Sequence, residues 1–292
     1  MTDNESPNPQ RRGLKKGLYL LPSAFTAANI LMGFFTIMAA LRAYQLIGLG
    51  DIAHAVPYLD NGAKAIGWAL AFDMLDGRIA RLTKTTTEIG VQLDSLADVV
   101  TFGIAPAVLA YVWGYGVTFR EGSDLYNIAF FISFMYLMCG VFRLARFNVQ
   151  SSRPRILAEG TIKTDKKSFV GLPIPVAGGL IAALVHFAPT PLISYERAQL
   201  YSLLLLVLTA VLSVLMVSTL RFSSFKTVGT KTRSMRVIIL GVAIGMLIIM
   251  FSRYVLLAIV IAYILYGLLA RVSGLFRRRT DMSNANLPAK ET

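Results

Sequence analysis

Eight apolar stretches, each long enough to cross a bilayer as a helix, limit the folds open to this chain. They lie near 24–43, 62–82, 91–113, 126–146, 171–188, 198–220, 235–251 and 254–275. A helix needs about 20 residues to cross the hydrocarbon core, and none of the stretches alternates as a lipid-facing barrel strand does. Because 55% of the residues are apolar, the sequence predicts an all-α membrane protein with about eight transmembrane helices.

The basic residues are distributed unevenly between these stretches. If the N-terminal segment is cytoplasmic, the loops on the outer side hold few of the 29 Lys and Arg residues, namely Arg42, Lys64, Arg120, Arg197 and Arg253. Such a positive-inside bias sets the orientation of a membrane protein. We therefore expect a protein of a bacterial-type inner membrane with both termini cytoplasmic. The net charge of +13 is explained by this topology, so we expect no nucleic-acid partner.

Four aspartates lie among apolar residues, where charge is most expensive. On the second helix, Asp73, Asp76 and Arg81 fall within an arc of roughly 140°. Asp94 and Asp98 follow one another at i, i+4 on the next helix. A short connection makes these helices antiparallel neighbours, so the carboxylates can converge near the cytoplasmic boundary. The sequence places all other acidic residues in loops or tails and gives the two histidines no role.

Four clustered carboxylates repel one another unless cations hold them together. Hard divalent ions such as Mg²⁺ or Mn²⁺ prefer oxygen ligands, and two such ions can polarise a phosphoryl group during a displacement. Membrane aspartates can also form ion pairs, line a proton path or bind a transported cation. A cation transporter requires carboxylates near mid-bilayer, reached from both sides. The spacing instead favours a one-sided site at the interface.

The stretch "DMLDGRIARLTKTTTEIGVQLDSLAD", residues 73–98, resembles the signature of the CDP-alcohol phosphotransferase family, D-x2-D-G-x2-A-R-x8-G-x3-D-x3-D. That family transfers the phosphatidyl group of a CDP-linked lipid to an alcohol and releases CMP. The resemblance implies that one metal ion is bound by Asp73, Asp76 and Asp94, and a second by Asp73, Asp94 and Asp98. It further implies that Asp98 accepts the proton, and that CDP-diacylglycerol is contacted by Gly77, Arg81 and Thr87.

The resemblance also implies a domain organisation. A catalytic domain over 18–230 would contain the six-helix core of the family, which usually dimerises, so we expect a homodimer. Residues 1–17 are polar and are predicted to form a flexible cytoplasmic tail. Residues 231–276 would add a C-terminal transmembrane hairpin without an assigned role, and 277–292 a second cytoplasmic tail.

The acceptor alcohol is suggested by two further stretches, "CGVFRLARFNVQ" and "KKSFVGLPIPVAGG". Arg143 and Arg146 are spaced i, i+3, and a guanidinium suits a carboxylate such as that of serine. Together with Asn148 they form a candidate serine site, although anchoring to lipid phosphates explains each arginine too. Pro173 and Pro175 are predicted to mark a helix start or kink.

These stretches resemble the phosphatidylserine synthases within that family. So do "LPSAFTAANILMGF" (20–34), with a polar patch from Thr26 to Asn29, and "STLRFSSFK" (218–226). The resemblance implies CDP-diacylglycerol and L-serine as substrates, and membrane lipids as further partners. Other acceptor alcohols are alternatives, namely glycerol 3-phosphate, an inositol phosphate or choline. An arginine pair binds a phosphate as readily as a carboxylate.

Overall fold

The protein is a bundle of helices, seen here in a computed structural model that describes residues 9–83, 88–152, 169–218, 221–222 and 252–266. The helices are α1 Pro9–Gly48, α2 Ile52–Thr83, α3 Glu88–Asp98, α4 Ala105–Trp113, α5 Tyr115–Thr118, α6 Asp124–Ser152, α7 Ile174–Phe187, α8 Ala198–Val217 and α9 Ser252–Tyr266. A π-helical segment, Val99–Ile104, joins α3 to α4, and a 3-10 turn, Leu192–Ser194, precedes α8. Two short strands are β1 Phe169–Val170 and β2 Arg221–Phe222.

The helices have the length and composition of membrane spans. Five stretches are long and apolar enough to cross a bilayer: Ala24–Gly48, Ile89–Thr118, Asp124–Val149, Ile174–Ser194 and Ala198–Val217. α2 corresponds to the predicted span 62–82, but its polar residues keep it out of this group. The prediction of an all-α membrane protein is confirmed.

The C-terminal part of that prediction is only partly described. The span predicted at 235–251 lies outside the described residues, and α9 covers part of the last one. The count of eight spans therefore stays a prediction. At the other end, α1 begins at Pro9, within the segment that the sequence predicts as a flexible tail.

The bundle is held together by apolar packing between helices that are neighbours in space. α1 packs along α2, α2 against α7, and α6 against α8. Phe102, Leu109 and Ile181 are fully buried in the shared core. Large apolar side chains such as Trp68, Phe130 and Val214 are exposed, as expected of surfaces that face lipid.

The "GLP" stretch forms a sharp turn that joins the start of α7 to the end of α8. β1 pairs antiparallel with β2, with Phe169 opposite Phe222. Gly171 has φ +87°, and a Cβ there would lie 2.2 Å from the carbonyl oxygen of Met216, so only glycine fits. Pro173 then caps α7, with Pro175 in its first turn. The prediction that these prolines start a helix is confirmed.

One acidic residue was placed wrongly by the sequence reading. Asp60 lies inside α2 and is only 8% exposed, not in a loop. Its Oδ1 is 2.5 Å from Nδ1 of His186, and its Oδ2 is 2.7 Å from Nζ of Lys64. A buried carboxylate is tolerated when it is paired in this way. Hydropathy averages miss such pairing, because His186 is 126 residues away in the chain.

Candidate active site

Asp98 stands at a change in backbone geometry. It is the last residue of α3, and the chain becomes π-helical at Val99. π-Helical turns inside α-helices are rare and frequently occur at functional sites. Two hydrogen bonds hold this segment to its neighbours. Tyr136 of α6 donates to the carbonyl oxygen of Phe102 at 3.0 Å. Thr101 donates to the carbonyl oxygen of Asn29 in α1, also at 3.0 Å. The π-helical segment therefore fixes the end of α3 that carries Asp98.

Two glycines let neighbouring helices approach this segment closely. A Cβ added at Gly33 of α1 would lie 2.6 Å from Oγ1 of Thr101. One added at Gly178 of α7 would lie 3.0 Å from the carbonyl oxygen of Phe102. Such distances leave no room for a side chain without a shift of the backbone. The backbone beyond Asp98 is thus enclosed by three helices.

The Asp98 carboxyl group is buried without a full set of hydrogen bonds. It is 9% exposed, and its Oδ1 has no hydrogen-bond partner among the described residues. The charges of Asp73, Asp94 and Arg143 act on it. A buried carboxylate beside two others is unfavourable unless a cation or a ligand joins them. A cation or a polar ligand would therefore stabilise the charged form of Asp98.

The carboxylates fit a divalent metal ion by their chemistry. Asp73 of α2 and Asp94 of α3 are half-buried, and both are engaged in polar or electrostatic contacts. Within the described part of the chain, no three acidic, histidine or cysteine side chains already form a group that could hold a metal. The side chain of Asp76, the fourth predicted ligand, lies outside the described residues. The oxygen donors and the unpaired Oδ1 of Asp98 match what Mg²⁺ or Mn²⁺ requires.

The predicted nucleotide contacts cannot be placed. The side chains of Gly77, Arg81 and Thr87 all fall in 76–88, outside the side chains that the structure describes. Asn29 of α1, by contrast, lies within the described part of the chain. It is 1% exposed, and its Oδ1 has no hydrogen-bond partner within the described ranges. Thr26 and Asn29, the two polar residues of the predicted patch, are thus buried in the bundle, and Asn29 is joined to the π-helical segment through Thr101.

The predicted acceptor residues separate into two groups. Arg143 of α6 is partly buried, and its Nε has no hydrogen-bond partner in the described part of the chain. Asn148 donates through Nδ2 to Oγ of Ser95 at 2.8 Å, which joins α6 to α3 beside Asp94. Arg146 is exposed. The structure therefore brings Arg143 and Asn148 towards the aspartates and leaves Arg146 at the surface.

Two residues near the site were missed by sequence reasoning. Ser95 lies between Asp94 and Asp98, but its side chain carries no signal that would distinguish it from a core serine. Tyr263 of α9 is near enough to Arg143 for their charged forms to influence each other, although 120 positions separate them in the sequence. The only available signal was that an aromatic residue with a polar hydroxyl occurs in a late apolar stretch.

The structure is that of a membrane protein of several helices, in which Asp73 of α2, Asp94 of α3 and Arg143 of α6 influence the buried carboxyl group of Asp98 electrostatically. A sequence profile of the CDP-alcohol phosphatidyltransferase family matches residues 19–215. The chain belongs to this family, as its aspartate motif predicts. α9 lies beyond the matched region.

Relatives in several organisms share long stretches with the chain. A protein of Helicobacter pylori (strain 26695) is 35% identical over 217 residues, covering 72% of this chain and 75% of the relative. One of Bacillus subtilis is 30% identical over 209 residues, covering 70% and 91%. One of Saccharomyces cerevisiae is 35% identical over 161 residues, covering 55% and 51%. All three bear the name CDP-diacylglycerol--serine O-phosphatidyltransferase.

Proposed function

We propose that the protein is a phosphatidylserine synthase, which transfers the phosphatidyl group of CDP-diacylglycerol to the hydroxyl of L-serine and releases CMP. The family and the names of the relatives support this reaction. The observation that carries it is the buried Asp98 carboxyl group, with an unpaired Oδ1, under the influence of Asp73, Asp94 and Arg143.

The reaction is a displacement at phosphorus. The serine hydroxyl oxygen forms a bond to the phosphatidyl phosphorus, and the bond from that phosphorus to the CMP oxygen breaks. CMP leaves with the electron pair, and the hydroxyl proton passes to Asp98 and from there to water. No oxidant or reductant is needed.

Metal ions would be held by Asp73, Asp76, Asp94 and Asp98, as two Mg²⁺ or Mn²⁺ ions. When bound, they supply positive charge that offsets the negative charge of the diphosphate and of the departing CMP. Gly77, Arg81 and Thr87 would contact the nucleotide. Asp98 lies one helical turn after Asp94, at the end of α3 that the π-helical segment fixes. The backbone that carries its carboxylate is therefore fixed by contacts with α1 and α6.

The serine carboxylate would be bound by Arg143 and Asn148. A guanidinium can donate two parallel hydrogen bonds to a carboxylate, and an amide can add a third. Both side chains extend from the same end of α6, and Asn148 is joined to the aspartate helix through Ser95. Arg146, being exposed, would contact lipid phosphates at the membrane surface.

The cellular setting follows from the substrates. CDP-diacylglycerol keeps its acyl chains in the bilayer, while L-serine and CMP are soluble in water. A site at the cytoplasmic face of the inner membrane, with both chain termini cytoplasmic, suits both kinds of substrate. The positive-inside distribution of Lys and Arg supports this orientation. We also propose that the protein is a homodimer.

Purified protein supplied with Mg²⁺ or Mn²⁺, labelled CDP-diacylglycerol and one alcohol at a time tests the proposal. L-serine should give phosphatidylserine and CMP in equal amounts. Turnover with glycerol 3-phosphate, inositol phosphate or choline, but not with L-serine, would overturn the acceptor. Failure to release CMP with every alcohol would overturn the reaction itself. Ion-driven uptake into vesicles without CMP release would favour a cation transporter.

A further inference from the structure

A cavity of about 430 Å³ lies between α2, α7 and α9. Its lining residues fall within 63–71 of α2, 179–186 of α7 and 252–260 of α9. Most of them are apolar, and one of them, Trp68, is 64% exposed. The cavity therefore opens at the lipid-facing surface of the bundle. A mostly apolar cavity of this size is typical of a ligand site.

The polar groups at one end of the cavity are already paired with one another. His186 lies between Asp60 and Ser252, with Nδ1 2.5 Å from Oδ1 of Asp60 and Nε2 2.8 Å from Oγ of Ser252. Nζ of Lys64 is 2.7 Å from the other oxygen of Asp60. These four residues, here called the polar cluster, leave little polar surface for a ligand. Because apolar cavities stay dry and bind apolar molecules, the cavity fits a hydrocarbon chain that ends where the polar cluster begins.

Two glycines keep the cavity open where a side chain would fit. Within the described part of the chain, a Cβ added at Gly67 of α2 or at Gly179 of α7 would have no atom within 4 Å. Close helix packing, the usual reason for a glycine in a membrane helix, therefore does not explain them. Glycine is also less favourable than alanine inside a helix. Both glycines line the cavity, so their lack of a side chain leaves its space open.

The end of the cavity opposite the polar cluster lies towards the aspartates. Ile66 and Leu70 line the cavity, and Asp73 follows them on the same face of α2, at positions i, i+4 and i+7. The nine steps from Lys64 to Asp73 correspond to about 14 Å along a helix. A lipid whose diphosphate is bound at Asp73 can therefore extend a chain along α2 into the cavity, as far as the polar cluster.

We propose that the cavity binds one acyl chain of CDP-diacylglycerol, and that the polar cluster sets the length of the chain that it accommodates. The inference rests on the proposed function, because that function places the diphosphate of this lipid at Asp73. Gly67 and Gly179 leave room for the chain, and α9, which lies beyond the family match at 19–215, closes the cavity on one side. A short chain leaves the far end of the cavity empty and so buries less apolar surface. Affinity for the lipid should therefore increase with chain length until the chain reaches the polar cluster.

Enzyme kinetics with lipids of different chain length test this selectivity. CMP release is measured with CDP-dihexanoylglycerol and with CDP-dioleoylglycerol, in the same detergent and at saturating L-serine. Gly67→Leu places a side chain in the cavity. We expect it to raise KM for the dioleoyl lipid about 4- to 15-fold, the loss of contact with one or two methylene groups. KM for the dihexanoyl lipid should stay nearly the same.

The control for this substitution is Gly48→Leu, at an exposed glycine of α1 that also has open space around it. It should change neither KM. An equal rise in both KM values for Gly67→Leu, or an unchanged KM for the dioleoyl lipid, would overturn the inference.

A second readout needs no turnover and no substitution. The chain has two tryptophans, of which Trp68 lines the cavity and Trp113 is 5% exposed. Bromine atoms on an acyl chain quench tryptophan fluorescence at short range. We expect CDP-diacylglycerol with brominated chains to quench Trp68 more strongly than phosphatidylcholine with the same chains at the same concentration. Equal quenching would overturn the inference, because it would show that any bilayer lipid occupies the cavity.

The two experiments separate the inference from the proposed function. Preferential quenching by CDP-diacylglycerol without serine-dependent CMP release would refute the proposed reaction and leave the chain site in place. Serine-dependent CMP release without preferential quenching would leave the reaction in place and refute the chain site.

Discussion

Asn148 and Ser95 join two helices that the sequence gives no reason to connect. Nδ2 of Asn148, near the end of α6, donates to Oγ of Ser95 on α3 at 2.8 Å, and Ser95 in turn donates to the carbonyl oxygen of Val91 at 3.0 Å. Ser95 follows Asp94 directly. The hydrogen bond therefore sets the distance between the proposed serine-binding residues and the aspartates.

Ser95→Ala should weaken catalysis without disturbing the lipid substrate. Removal of the hydroxyl leaves the Asn148 amide without that partner, so we expect kcat/KM for L-serine to fall about 3- to 10-fold. KM for CDP-diacylglycerol should stay the same, as measured by CMP release. Gln92→Ala, at an exposed position on the same helix, is the control. Equal losses of kcat/KM in both variants would show that substitutions in α3 impair the protein in general. The hydrogen bond between Asn148 and Ser95 would then have no particular role in binding L-serine.

Asp98→Asn should abolish activity while leaving the fold intact. If Asp98 is the base, CMP release should fall by about 10²- to 10⁴-fold. Replacing the carboxylate by a neutral amide also removes repulsion with Asp73 and Asp94. In metal-free detergent solution the melting temperature should therefore stay the same or rise. Asp124→Asn, at the exposed start of α6, should change neither quantity. Near-normal CMP release from Asp98→Asn would refute the assignment of the base.

The sequence predicted the parts of the fold that depend on local pattern. Apolar length located the central parts of α1, α2, α6, α7 and α8, and one stretch that covers α3 and α4 together, because a membrane helix is read from about 20 consecutive residues. The i, i+4 spacing of Asp94 and Asp98 predicted their common face in the same way. The prolines before α7 predicted its start. In each case the information lies within one or two helical turns.

The parts that were missed depend on contacts between distant segments. Spacing alone assigned Arg143 and Arg146 to one face, yet Arg143 interacts with Asp98 and Arg146 is exposed. Nothing local predicts the π-helical segment after Asp98, since the hydrogen bonds of Tyr136 and Thr101 that hold it come from other helices. The burial of Asp60 likewise depends on a histidine in α7.

The two histidines offer a comparison of buried and exposed pairing. The side chain of His186 is 5% exposed and links Asp60 to Ser252, whereas that of His54 is 77% exposed and contacts Asp51 at 2.8 Å. A hydrogen bond from His54 lowers the pKa of Asp51 below its usual value, but solvent screens this exposed pair.

His186→Leu should therefore destabilise the protein far more than His54→Leu. The first change leaves the buried Asp60 carboxylate with Lys64 as its one described ionic partner, at an expected cost of about 2–4 kcal/mol. The second should change the free energy of unfolding by no more than about 0.5 kcal/mol. Thermal unfolding in detergent measures both. Similar melting temperatures for the two variants would mean that the hydrogen bonds that join His186 to Asp60 and to Ser252 do not contribute to stability.

Gly33→Ala should disturb the segment that follows Asp98. The new methyl group would lie 2.6 Å from Oγ1 and 2.9 Å from Cα of Thr101, so the backbone of α1 or of the π-helical segment must move. Overpacking of this kind costs about 1–3 kcal/mol. Because Thr101 lies one helical turn after Asp98, we expect a lower kcat as well as a lower melting temperature. Gly67→Ala, on α2 with open space around it, should be neutral or slightly stabilising, since alanine favours a helix over glycine. If Gly33→Ala also left kcat and stability unchanged, the close approach of α1 would have no part in holding Asp98, the proposed base.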